Sequence, residues 1–140
     1  MFKTIVVAID GSTSNERILL FAEHLARVEE AQLIVVHAYQ LPDVYEWTGA
    51  FEALSEQYEA TAAEVVSDAL EVLQGTTIEA MTDVRRGSPA EAVLAAATSH
   101  SADLIIMGGR SNRRNAAELL LGSVASTVLR ASTCPVLIVP

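Results

Sequence analysis

The sequence predicts an α/β fold built on a parallel sheet with helices on both faces, and three observations predict it. Apolar β-branched runs alternate with helical patterns along the chain and never follow one another directly, as crossovers between parallel strands require. The first run, TIVVAI, is apolar almost throughout, the pattern of a strand buried on both faces. Helix-start signals stand between the strands, the clearest being Ser88-Pro89-Ala90-Glu91, with a capping box and proline at the first helical position.

In chain order, the first strand covers residues 4–9 and empties into the turn Asp10-Gly11-Ser12. Thr13 and Glu16 form a capping box in sequence, and Ile18, Phe21, Ala22, Leu25 and Val28 recur at helical spacing. The second strand covers residues 32–38. Residues 39–50 hold Pro42, Asp43, Trp47 and Gly49 without apolar periodicity, and a loop of that length in a compact domain is often functional. Leu54, Tyr58, Ala62, Val65, Ala69 and Val72 mark one face of a helix over 51–73, with carboxylates opposite and Gly75 as its stop. A third strand over 77–84 leads to Arg85, Arg86 and Gly87. Val93, Leu94 and Ala97 continue the helix that Pro89 opens. A fourth strand over 104–107, a last helix from about 123 to 131, and a fifth strand over 135–139 complete the chain.

The 140 residues are the size of one ordinary domain, 1–140, and half of them are apolar, which argues against disorder. No apolar run reaches the roughly 18 residues that span a bilayer, and the first residues do not read as a signal peptide, so a cytoplasmic location is expected. Acidic residues outnumber basic ones 18 to 9, which argues against nucleic acid and anionic membranes as partners. Cys134 is the one cysteine and reads as a small buried hydrophobe. Lys3 is the one lysine, which excludes a phosphate-loop lysine or a Schiff base elsewhere.

In parallel sheets ligands bind beyond the carboxyl ends of the strands, where strand order reverses. That edge carries Asp10, Ala38, Arg86 with Gly87, and Gly108 with Gly109. The run from Asp103 to Val124 is the most informative stretch: an apolar strand, paired glycines, a loop with Arg110, Arg113 and Arg114, then Gly122-Ser123 before a helix. Glycines let a backbone approach phosphate closely, and a first helical turn favours negative charge. Arginines collected at this edge of an acidic protein point to an anion, and Arg86 is among the candidates. Asp10 is either a turn residue bonded to the backbone of Ser12, or a contact to a ribose hydroxyl or a phosphate-bound magnesium. The dinucleotide fingerprint G-x-G-x-x-G is absent. His24 and His100 read as structural, and His37 as a satisfied buried histidine.

Taken together, IVVAIDGS, LIVVHA, RGSPAEAV, ADLIIMG, LLLGSV and CPVLIV resemble, in this order, the universal stress protein family over the whole chain. The resemblance implies an adenine nucleotide alpha hydrolase-like fold, an open five-stranded parallel sheet of order 3-2-1-4-5. It also implies a homodimer through the last strand, here Pro135, Val136, Leu137, Ile138 and Val139, and an exposed apolar edge strand calls for a partner in any case. The implied ligand is ATP or AMP, with Asp10 the candidate ligand of Mg2+. Family contacts carry over as Ala8, Ile9 and Asp10 around adenosine, the Ala38 backbone at the adenine edge, Met107, Gly108 and Gly109 beneath the phosphates, and Ser123, Val124 and Ala125 at the helix start. The family's motif is G-x-x-G, nine residues, then G-[ST]. Here Gly109 and Gly122-Ser123 match it, while Asn112 stands where the second glycine belongs. Alignment on the strand end instead makes Gly108 the first glycine and Ser111 the second. Ala125 replaces a frequent hydroxyl residue.

Two function classes stay open: a nucleotide-binding stress-response protein, and a nucleotide-independent dimerising module that has lost the phosphate loop. Catalysis is not expected beyond weak ATP hydrolysis, because no nucleophile, base and orienting group can be assembled.

Overall fold

The computed structural model describes residues 1–12, 14–42, 50–109 and 121–140. Strands and helices alternate in it: β1 (Thr4–Ile9), α1 (Asn15–Glu29), β2 (Gln32–Tyr39), α2 (Phe51–Gln74), β3 (Ala80–Arg86), α3 (Pro89–Ser99), β4 (Leu104–Gly108), α4 (Ser123–Ala131) and β5 (Val136–Val139). The sheet order is β3-β2-β1-β4-β5 and every pairing is parallel, as the alternation and the family resemblance imply. No described helix is long and apolar enough to cross a membrane.

β1 is central because its side chains are apolar on both faces. Ile5, Val7 and Ile9 pack with Ile18, Leu19 and Ala22 of α1 and with Ala69 and Leu73 of α2. Val6 packs on the opposite face with Ile34, Ile105, Val93, Ala96 and Val128. Burial of such side chains contributes about 1.5–3 kcal/mol each before conformational entropy is counted. At the amino edge, side chains clamp the backbone. The Asp103 carboxylate accepts hydrogen bonds from Lys3 N at 2.8 Å and Thr4 N at 3.2 Å, and Glu29 accepts one from Phe2 N at 3.0 Å.

Several elements depart from the sequence reading. β3 begins later and runs further than 77–84. Thr76 stays with the helix end, its hydroxyl donating to Leu73 O at 2.6 Å and accepting from Ile78 N at 3.3 Å, while Arg85 and Arg86 pair in register with Ala38 and Tyr39. The α1 face is rotated: Ile18, Leu19, Ala22, Glu23 and Ala26 are buried, whereas Phe21 is 45 % and Val28 58 % exposed. Glu23 tolerates burial because Arg27 Nε donates to it at 3.0 Å. On α2 the fully buried stripe is Ala62, Val66, Ala69 and Leu73, one residue off the expected face at two of its positions. The helix after Asp10 is capped by Ser14 without a side-chain bond; Thr13, half of the expected capping box, lies outside the described residues. Ser88 also makes no side-chain cap, and Pro89 alone opens α3 with a preset φ. Cys134 is half-buried, beside Ser132. α1 ends through Glu30 at φ 55°, a left-handed conformation that favours glycine.

Candidate functional site

The sheet order reverses between β2 and β4 on either side of β1, and a concavity lined by described residues lies beyond the carboxyl ends of these strands. Its volume is about 570 Å3, within the roughly 300–1,000 Å3 typical of small-molecule clefts. The apolar floor comes from Ala8, Ile9, Val36, Ala38 and Met107, in the carboxyl-terminal halves of three neighbouring strands.

One rim is the turn after β1. Asp10 Oδ1 accepts a hydrogen bond from Ser12 N at 2.8 Å, so the turn reading of Asp10 holds. Asn15, at the start of α1, fixes the same turn from below: its Oδ1 accepts from Asp10 N at 3.2 Å and its Nδ2 donates to Asp10 O. Among the described residues none donates to Asp10 Oδ2, and the side chain is exposed to the cavity it lines. Beneath it, buried His37 hydrogen-bonds Ile9 O through Nδ1 at 3.0 Å, the satisfied histidine the sequence predicts.

The other rim joins Gly108 and Gly109 to Gly122 and the start of α4. Gly122 N donates to Gly109 O at 2.9 Å and Gly109 N to Val139 O at 3.2 Å, so both ends of the glycine loop meet. The first helical bond of α4 runs from Ser126 N to Gly122 O at 3.0 Å. The N–H groups of Ser123, Val124 and Ala125 precede it, and these three residues line the cavity, so the partial positive charge of the helix start favours an anion there. Gly109 has a packing reason as well: a Cβ there would lie 2.4 Å from Ile138 Cγ2 and 3.3 Å from Leu121 Cδ2. At Gly108 a Cβ would lie 2.9 Å from Ile18 Cδ1. Asn112, Ser111 and the arginines 110, 113 and 114 lie outside the described residues.

Arg86 is not on the cavity wall. Strand order sets β3 beyond β2, and its guanidinium lies 5.1 Å from the centroid of the Phe51 ring. Arg85 is engaged too, with two 3.0 Å bonds to Asp83 and one of 3.2 Å to Ser99. Burial pushes the Asp83 carboxyl up, but the hydrogen bonds from Arg85 and then from His100, at 2.8 Å, outweigh it and hold the group below its ordinary value. That network accounts for His100 as a structural residue. Among the described residues no group of three metal-ligating side chains occurs, so Asp10 would serve a metal only together with a ligand's own oxygens.

Several lining residues escape sequence reasoning: Ser12, Ser14, Asn15 and Arg17 on the β1–α1 side, and Pro89 and Val93 at the start of α3. The polar string STSNER directly after Asp10-Gly11 is the signal available for the first group. For the second there is only topology, since α3 starts at the same edge. A separate hollow of about 530 Å3 lies on the outer face of α1, lined by Glu16, Arg17, Leu20, Phe21 and His24, away from the strand ends.

The family model described as the universal stress protein family matches residues 1–140. The chain is 39 % identical over 140 residues to a universal stress protein of Thermus aquaticus, with 99 % of each chain covered. It is 32 % identical over 148 residues to universal stress protein YxiE of Bacillus subtilis, again with 99 % of each covered. Among solved structures it is similar to a universal stress protein crystallised in complex with cAMP, at 28 % identity and TM-score 0.75, over 99 % of this chain and 97 % of that one.

Proposed function

The chain belongs to the universal stress protein family, and on that premise we propose that it acts in stress response or signalling by binding an adenine nucleotide, ATP or AMP, in the sheet-edge cavity. The observation that carries the reading is the joining, in one cleft, of an apolar floor to a helix start whose first N–H groups have no partner among the described residues. Ala8, Ile9 and Met107 enclose a planar base and the Ala38 backbone meets its polar edge. Asp10 Oδ2 accepts a ribose hydroxyl. Gly108, Gly109 and Gly122 let phosphate approach the N–H groups of Ser123, Val124 and Ala125. A magnesium ion, when bound, neutralises phosphate charge and needs one protein carboxylate, for which Asp10 is the candidate. The cAMP complex of a related protein supports an adenine ligand. Nothing in the proposal requires catalysis.

Heating purified protein and analysing the released small molecules, together with melting curves in millimolar ATP and Mg2+, tests the proposal. A site saturated a hundredfold over its Kd raises stability by about 2.7 kcal/mol. No released nucleotide and an unchanged melting temperature refute it. Asp10→Ala is expected to weaken binding about tenfold, the loss of one charge-assisted hydrogen bond.

The proposal extends to a single-domain cytoplasmic homodimer. β5 pairs with β4 along one side only among the described residues, leaving Pro135, Val136, Leu137, Ile138 and Val139 to meet a second copy. Light scattering that reports a monomer at micromolar concentration removes this part. A second reading, partner binding without nucleotide, is favoured by one observation: contact with Ile138 and Leu121 already accounts for glycine at 109.

A further inference from the structure

The arginines singled out by the sequence are Arg85, Arg86 and those of the 110–114 loop, but a different arginine lines the cavity. We propose that Arg17 is a specificity-determining residue that recognises the outer phosphates of a polyphosphate nucleotide; this rests on the nucleotide-binding reading above. Arg17 is the one cation among the described lining residues. It stands in the first turn of α1, where the helix dipole disfavours positive charge, and no described carboxylate lies within 4.0 Å to offset this. An anion at the cavity mouth supplies the missing partner.

The side chain is held in a weak place. Its guanidinium lies 5.9 Å from the centroid of the Phe21 ring, itself 45 % exposed, and Arg17 borders both the cavity and the outer hollow of α1. A cation over an exposed ring is attracted less strongly than a guanidinium in a charge-assisted pair with phosphate oxygens. Arg17 therefore gains by leaving Phe21 for a phosphate. The N–H groups of α4 serve the phosphate nearest the nucleoside, so adenosine and its monophosphates need nothing from α1. A longer phosphate chain projects over the mouth, where Arg17 and Asp10 are the charged side chains of the β1–α1 rim. The fork of the guanidinium suits a terminal phosphate, and lysine at this position keeps the charge without the fork.

The test is calorimetric titration of wild type, Arg17→Ala and Arg17→Lys with ATP, AMP, cAMP and adenosine in the presence of Mg2+. The expected result is a tenfold or greater loss of ATP affinity in Arg17→Ala, a smaller loss in Arg17→Lys, and changes of less than twofold for AMP, cAMP and adenosine. The unchanged ligands also report that the variant is folded. Unaltered ATP affinity in Arg17→Ala overturns the role of Arg17 while leaving nucleotide binding intact. Equal losses for all four ligands overturn it as well, since the residue is then structural. A wild type that binds none of the four removes the nucleotide reading and the proposal with it.

Discussion

Glycine at 109 admits two explanations, and stability measurements separate them. In Gly109→Ala the new Cβ lies 2.4 Å from Ile138 Cγ2, more than 1 Å inside the roughly 3.5–4.0 Å at which carbon atoms rest. Ile138 yields poorly, because its β-branch restricts χ1 and β5 holds it opposite Met107. Overpacking of this kind costs about 1–3 kcal/mol, which for a chain of this length lowers Tm by roughly 3–10 °C. Thermal denaturation without nucleotide of wild type, Gly109→Ala, Ile138→Ala and the double variant closes a mutant cycle. Ile138→Ala removes Cγ2, so the penalty of Gly109→Ala falls to near zero in that background and the coupling energy equals about 1–3 kcal/mol. An equal penalty in both backgrounds refutes the packing argument. Glycine at 109 is then held for something other than β5.

Asp83→Asn is expected to cost about 1–2 kcal/mol at pH 7, since it gives up charge-assisted bonds to Arg85 and His100. The folded-state pKa of Asp83 is depressed, so its contribution is present above the ordinary value near 3.8 and is lost as pH falls through the lower folded value. Denaturant curves of the two proteins should therefore converge as pH falls below the lowered folded-state value. Glu30→Gly relieves a left-handed residue at the end of α1 and should stabilise by about 0.5–1 kcal/mol, seen as a higher denaturant midpoint. Asn15→Ala frees the Asp10 turn of two hydrogen bonds and should cost about 1–2 kcal/mol, with amide exchange faster at Asp10 and Ser12.

Buried strands and proline-initiated helices were legible because one physical demand dominates each. TIVVAI leaves no polar face to place outward, and β1 occupies its expected residues to the position. Pro89 fixes φ, and α3 starts there. β3 was not legible at its ends, because an outer strand with AMTDVRR has a weak apolar pattern and takes its bounds from pairing with β2. The α1 face is not legible for the opposite reason. Ile18, Leu19, Leu20 and Phe21 offer two apolar stripes, and contact with β1 and β4 selects the one containing Leu19. At the site, Ala38, Gly108 and Gly109 follow from topology and Ala8 and Met107 from the family resemblance, and all of them line one cavity. Arg86 does not, because edge position in sequence carries no information about lateral distance across the sheet. Arg17 went unnoticed because nothing in a helical first turn marks which side chain overhangs the neighbouring loop.

The clamp of Asp103 onto Lys3 and Thr4 joins residues 100 and 99 positions apart. Loop closure over that span costs entropy that nearby pairings do not, and this disfavours the β1–β4 seam until the rest of the sheet can reward it. During synthesis β1 can meet β2 early, but it waits for most of the chain before β4 arrives on its other side. The cleft opens off the carboxyl ends of that same seam. Chains in which that seam is open therefore lack the pocket, and a ligand that fills it binds only molecules in which the two ends of the sequence have met.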